Sequence, residues 1–169
     1  MSEKRAAKLY LICGMAGAGK STLARQLESE CQATRFSPDE WLRALMLDMN
    51  DRVEMARLRP IVTDLQWGQI QGLLRIGCDV IWEAGFWLEA ERAFYREEAK
   101  GLGADVMLHY LTAPIDELKR RIVERNKDLP SHSFHIEPDE LDKWMEWLDV
   151  PTEEEAARFD AFDVHGVVT

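Results

Sequence analysis

The chain has 169 residues, 46% of them hydrophobic and 31% charged, with a net charge of −10. That length suits one domain, whose folding buries roughly 70% of the surface of the unfolded chain, and it leaves a second independent domain cramped. The acids concentrate in Glu137 to Asp142 and Glu153 to Glu155, a balance that lacks the broad basic footprint a nucleic acid needs, so nucleic acid is a disfavoured partner.

In chain order, Met1 to Lys8 is polar and charged, and no apolar run anywhere approaches the length of a membrane span, so neither secretion nor membrane insertion is expected. Leu9-Tyr10-Leu11-Ile12-Cys13 is a short continuous apolar run stopped by glycine, the pattern of a parallel strand buried on both faces. Ser21 to Gln32, with Leu23 and Leu27 at helical spacing, predicts a helix fed directly by the glycine-rich turn. Thr34-Arg35-Phe36 reads as a short second strand. Ser37-Pro38-Asp39-Glu40 then opens a helix, with serine as N-cap, proline at N1 and glutamate at N3 completing a capping box. A mostly helical region follows to about Ile76, with a break or kink predicted at Pro60.

Asp79-Val80-Ile81-Trp82 predicts a buried strand, Glu89 to Lys100 a helix closed by Gly101, and Val106 to Leu111 another strand. Pro114 to Arg125 is a strongly charged helix, and Asn126 to Ile136 a polar loop. Pro138 to Leu148 is an amphipathic helix with Leu141, Trp144, Met145 and Leu148 on one face, and Phe162 to Val168 a returning strand. This alternation predicts an α/β fold, a doubly wound and mostly parallel sheet with helices on both faces, with the site at the carboxyl ends of the strands. Cys13, Cys31 and Cys78 are odd in number and lack pair spacing, which fits reduced thiols and a cytoplasmic protein.

Gly14-Met15-Ala16-Gly17-Ala18-Gly19-Lys20-Ser21 satisfies GxxxxGK[ST] at every fixed position, between a predicted strand and a predicted helix. Glycines let backbone N–H groups turn inward around phosphate oxygens, and the start of the following helix adds its positive end. Lys20 then reaches the β- and γ-phosphates, the Ser21 hydroxyl ligates Mg2+, and Thr22 completes the nucleotide-binding set. ATP is the expected nucleotide. The base-reading NKxD of GTPases has only Asn126-Lys127-Asp128 as a counterpart, one residue too short and placed after a helix.

With this loop, Ser37-Pro38-Asp39-Glu40-Trp41, the strand running into Glu83-Ala84-Gly85-Phe86-Trp87, and Arg121-Ile122-Val123-Glu124-Arg125-Asn126, the chain resembles small ATP-binding P-loop kinases. These are the relatives of polynucleotide kinase, gluconate kinase, chloramphenicol phosphotransferase and zeta toxins. The resemblance spans roughly residues 8 to 127 and implies a single kinase domain with a helical lid at about residues 120–137. It implies that Asp39 orients the acceptor hydroxyl and accepts its proton; an acid in the first turn of a helix is also what the macrodipole alone favours. It implies that Glu83 holds the Mg2+ water shell, where a solvated strand-end acid is the other reading. It implies that Arg121 and Arg125, four apart on one helical face, close over ATP as lid arginines, with Arg120 a third candidate. The other reading of that face is solvated charge with Glu117 pairing Arg121.

Many members of this group carry an arginine three residues after the aspartate; here Leu42 stands there and Arg43 follows. Arg92 reads equally as half of a surface ion pair with Glu89 or as an acceptor-binding cation. Phe86 and Trp87 fit either an acceptor pocket or the core. His132 and His135 lack the companions of a zinc site and fit a polar lid segment. The activity implied is transfer of the γ-phosphoryl group of Mg-ATP to a hydroxyl of a small acceptor, neutral or cationic given the acidic chain. A 5'-hydroxyl polynucleotide kinase is one alternative, and a nucleotide-dependent ATPase or switch without an acceptor is the other.

Overall fold

The computed structural model describes residues 5–46, 48–130 and 133–166. Within them the chain runs β1 (Lys8–Gly14), α1 (Lys20–Cys31), β2 (Thr34–Phe36), α2 (Pro38–Leu45), α3 (Arg52–Ile76) and β3 (Val80–Gly85). It continues through α4 (Glu89–Gly101), β4 (Asp105–Leu111), α5 (Ile115–Lys127), α6 (Glu140–Met145), α7 (Glu153–Ala156) and β5 (Ala161–His165). The strands form one sheet in the order β2-β3-β1-β4-β5, and every pairing is parallel. Parallel neighbours cannot be joined by hairpins, so the connections cross over through helices, which gives the doubly wound α/β fold that the strand–helix alternation predicts.

β1 lies at the centre, and Leu9, Leu11, Ile12 and Cys13 are all fully buried. Consecutive strand residues point to opposite faces, so such burial requires cover on both. From β1 the chain winds to one side for β2 and β3, then crosses to β4 and β5 on the other. The crevice at the carboxyl end of β1 is therefore the switch point where ligands bind in this architecture. Behind β3 the core is aromatic: Trp82 stacks on Trp67 with ring centroids 5.6 Å apart and meets Tyr95 edge-on at 4.6 Å. A smaller cluster of Leu42, Met46, Met49, Met55 and Val62 closes α2 against α3.

Four local expectations need correction. The break that Pro60 could have caused does not occur, since α3 runs through it; Pro60 and Ala56, whose carbonyl loses the missing N–H, are both exposed, so water can satisfy that carbonyl. The capping box does not form, because the buried Ser37 side chain makes no cap bond and Glu40 instead pairs with Arg35 at 2.9 Å. The helix expected over 138–148 shortens to α6, and the last strand is β5, with Val167 and Val168 outside the described residues. Residues 1–4 of the polar N-terminus also lie outside them. No helix among the described residues is long and apolar enough to cross a membrane.

Candidate functional site

The turn after β1 is shaped by glycines whose backbones lie at positive φ, 149° at Gly14, 80° at Gly17 and 99° at Gly19. A side chain at Gly14 would place its Cβ 2.5 Å from the Leu111 carbonyl oxygen of β4, so the loop can lie against the sheet only with glycine there. Met15 is buried, and its carbonyl accepts from the Ala18 N–H at 3.2 Å and from Lys20 Nζ at 2.9 Å. Burial pushes the Lys20 ammonium down, against the raising pull of Asp39 and Glu83. α1 starts at Lys20 with no acidic residue in its first turn, which leaves the positive end of the helix uncompensated by a side chain.

β3 runs two residues beyond Glu83 rather than ending there, and its register against β1 jumps from Leu11 opposite Trp82 to Cys13 opposite Gly85. One extra residue is thus accommodated in β3 at Glu83 and Ala84, a bulge of the kind that re-aims side chains beside active sites. Glu83 is buried; its Oε1 accepts from Arg35 Nη1 at 3.1 Å, and its Oε2 is buried with no hydrogen-bond partner of good geometry among the described residues. Burial pushes its carboxyl up, opposed by the Ser37 hydroxyl and the Arg35 guanidinium. Arg35 also pairs with Glu28 and Glu40, so a residue read only as part of a strand is the buttress of the carboxylate.

The corner after β3 is held from several directions. Phe86, fully buried, sits at φ 47°, a conformation bulky residues rarely adopt. Its carbonyl accepts from Arg92 Nη1 at 2.8 Å and from the Cys13 thiol at 3.2 Å. The Trp87 carbonyl accepts from Arg92 Nη1 at 3.1 Å and from the Asp149 N–H at 2.8 Å, while the Trp87 indole N–H donates to the Gly14 carbonyl at 3.1 Å. Arg92 is fully buried and bidentate to the buried Glu155 at 2.6 and 2.7 Å. It is therefore neither the surface partner of Glu89 nor a residue of the cleft, but the clamp that sets the corner.

Asp39, in the first turn of α2, pairs through Oδ1 with Arg59 Nη2 of α3 at 2.7 Å. Leu42, at the position where many of the resembled kinases carry arginine, is buried in the methionine cluster, and Arg43 is exposed and outside the cleft lining. The cation that reaches the aspartate comes instead from another helix. On α5, Arg121 donates to the Gly17 carbonyl at 3.2 Å and to Glu117 at 2.7 Å. Arg125 donates to the Phe134 carbonyl at 3.4 Å, and burial pushes its guanidinium down. Arg120 pairs with Glu117 and does not line the cleft.

These elements surround one cleft of about 900 Å³. Ala16, Gly17, Gly19, Lys20, Ser21 and Thr22 of the loop line it together with Asp39, Glu83, Arg121 and Arg125. Gly14, Met15 and Ala18 form the loop beneath and do not line it. Phe86 and Trp87 do, and Trp87 meets Trp144 of α6 at 5.7 Å. Trp82 faces the core, with its indole N–H donated to Gln66 at 3.0 Å. His135 pairs with Glu137 at 2.9 Å, and His132 lies outside the described residues. Sequence reasoning missed Arg25, Arg52 and Arg59 in the lining; the signal for the last two was their spacing with Met55 along one face of α3.

The family described as AAA domain, AAA_33, matches residues 9–151. No curated protein matches the chain in sequence. In structure the chain is similar to Kti12 of Chaetomium thermophilum in complex with ADP-AlF3, with a TM-score of 0.66 and 17% identity over 94% of this chain and 88% of that one. It is similar to a gluconokinase of Sinorhizobium meliloti 1021, with a TM-score of 0.62 and 16% identity over 98% and 85% of the two chains. It is similar also to the PezAT chromosomal toxin-antitoxin system of Streptococcus pneumoniae, with a TM-score of 0.72 and 16% identity over 98% and 70%. At these identities the likeness to the solved structures is one of fold.

Proposed function

This chain belongs to the AAA domain family AAA_33, and we propose that it is a kinase that passes the γ-phosphoryl group of Mg-ATP to a hydroxyl of a small acceptor. One observation carries the reading: Lys20, Ser21, Asp39, Glu83, Arg121 and Arg125, distributed over the four elements α1, α2, β3 and α5, all line a single cleft at the switch point of the sheet. On this reading the loop N–H groups, Lys20 and the start of α1 hold the phosphates. The acceptor oxygen attacks the γ-phosphorus, its proton passes to the Asp39 carboxylate, and the bond to the bridging oxygen breaks so that ADP leaves with the electron pair. Arg121 and Arg125 exclude water and stabilise the charge on the moving group.

Ser21 and Glu83 suit a hard divalent cation, since they offer a hydroxyl and a buried carboxylate oxygen with no hydrogen bond of good geometry among the described residues. Mg2+ held there would screen the phosphate charge. Incubation with γ-labelled ATP and a panel of polyols, sugar acids and aminoglycoside-like compounds, alongside a 5'-hydroxyl oligonucleotide, tests the reading. Label on a small molecule is expected. Label on the oligonucleotide alone would replace it with the polynucleotide kinase, and phosphate release with no labelled acceptor and a partner retained in one nucleotide state would replace it with the switch.

A further inference from the structure

Resting on that kinase reading, we infer that the acceptor carries an oxyanion, a carboxylate or a phosphate, held by Arg59 beside the reacting hydroxyl. The argument begins with charge. The chain as a whole is at −10, yet the cleft is lined by six cationic side chains, Lys20, Arg25, Arg52, Arg59, Arg121 and Arg125, against three carboxylates, Asp39, Glu83 and Glu91. Charges further apart than about 8 Å are largely screened at physiological salt, so a ligand in the cleft meets the lining and not the net charge of the chain. Three of the six are matched by acids just outside the lining, Arg25 by Glu40 at 3.8 Å, Arg52 by Glu140 at 3.1 Å and Arg121 by Glu117 at 2.7 Å, so what the cleft offers an acceptor is set by individual donors and not by a charge count.

Arg25 lies on α1, 3.8 Å from Glu40, and the other five cations divide into two groups. Lys20 and Arg121 bond carbonyls of the phosphate loop, and Arg125 bonds the segment facing it; these serve the nucleotide. Arg52 and Arg59 lie on α3, and with Met55 between them they present one helical face to the cleft. Arg52 is engaged, donating to the His135 carbonyl and to Glu140 at 3.1 Å, with its guanidinium 4.6 Å over the Phe134 ring. Arg59 is not. Its Nη2 contacts Asp39 Oδ1 at 2.7 Å and Met55 Sδ at 3.7 Å, while Nε and Nη1 make no hydrogen bond among the described residues. A guanidinium offers five donors in a rigid fork that matches carboxylate and phosphate. Arg59 thus presents its unspent donors within one side chain's reach of the carboxylate that takes the hydroxyl proton. Across the cleft, Trp87 and Trp144 supply an apolar wall for the carbon skeleton.

Calorimetric titration of the protein loaded with ADP and aluminium fluoride tests this with matched pairs: D-glycerate with glycerol, D-gluconate with D-glucitol, and glycerol 3-phosphate with glycerol. In at least one pair the oxyanion member is expected to bind about tenfold or more tightly than its neutral partner, and Arg59→Ala to erase the preference while nucleotide affinity stays within about twofold. Arg59→Lys should keep part of it, and circular dichroism of both variants separates lost binding from lost folding. The carboxylate and phosphate arms tell the two oxyanions apart. Equal or tighter binding of the neutral members overturns the inference, as does a preference that survives Arg59→Ala. So does the absence of binding by every oxyanion tested, inorganic phosphate at millimolar concentration included. Failure of the kinase reading looks different: no small molecule is labelled from γ-labelled ATP, while the oxyanion preference and its loss in Arg59→Ala still appear in the titrations.

Discussion

The carboxyl ends of β1 and β3 meet in one cleft but are built by different means. At β1 the parts are neighbours in sequence: three glycines at positive φ, and a lysine whose ammonium folds back on a carbonyl five residues earlier. At β3 almost every constraint is distant. Glu83 is held by Arg35 across 48 positions, Trp87 by Gly14 across 73, and the Phe86–Trp87 corner by an arginine that is itself fixed by Glu155 across 63. Losing a side chain at the first should therefore remove a ligand contact and leave the fold, whereas losing one at the second should cost stability.

The sharpest way to break that contrast is Arg92→Ala. It strands the buried Glu155 carboxylate and leaves the Phe86 and Trp87 carbonyls with one donor each, and urea unfolding should show a loss of about 3–5 kcal/mol. A loss under about 1 kcal/mol would mean that the corner does not depend on its clamp. Next comes Lys20→Ala, for which Mg-ATP should no longer raise the melting temperature while the melting temperature without nucleotide stays near the parent's. Undiminished ATP binding would remove the loop from the site.

Asp39→Asn tests the side of the cleft opposite the loop. Nucleotide affinity should persist while transfer slows roughly 100-fold, the scale of a positioned general base. An unchanged rate in stopped-flow or labelled-ATP assays would return Asp39 to the role of a helix-start acid paired with Arg59. The smallest effect expected is optical. Trp87 touches the loop at Gly14 and lines the cleft with Trp144 and Trp147, whereas Trp82 is sealed against Trp67 and Gln66, so Trp87→Phe should diminish the fluorescence change on adding Mg-ATP. An undiminished change in that variant would separate the β3 corner from the nucleotide.

Legibility followed the same division. The five strands, the long helices and the phosphate loop could be read from the chain because buried parallel strands, helix periodicity and left-handed glycines leave local patterns. Errors arose where distant residues competed with local rules. Glu40 left its capping box for Arg35, Pro60 stayed in a helix whose exposed side lets water replace the missing bond, and Arg92 exchanged a nearby glutamate for a buried one.

By itself the sequence determined the α/β alternation and the phosphate loop, since both rest on backbone sterics and burial periodicity within a few consecutive residues. Only the tertiary structure decided that Arg59 and not Arg43 reaches Asp39, that Arg92 is a buried clamp, and that an acidic chain gathers six cationic side chains on one cleft. Ion pairs are chosen by which side chains the topology brings within hydrogen-bond reach, and a net charge carries no record of where its members lie once screening confines each to its neighbours.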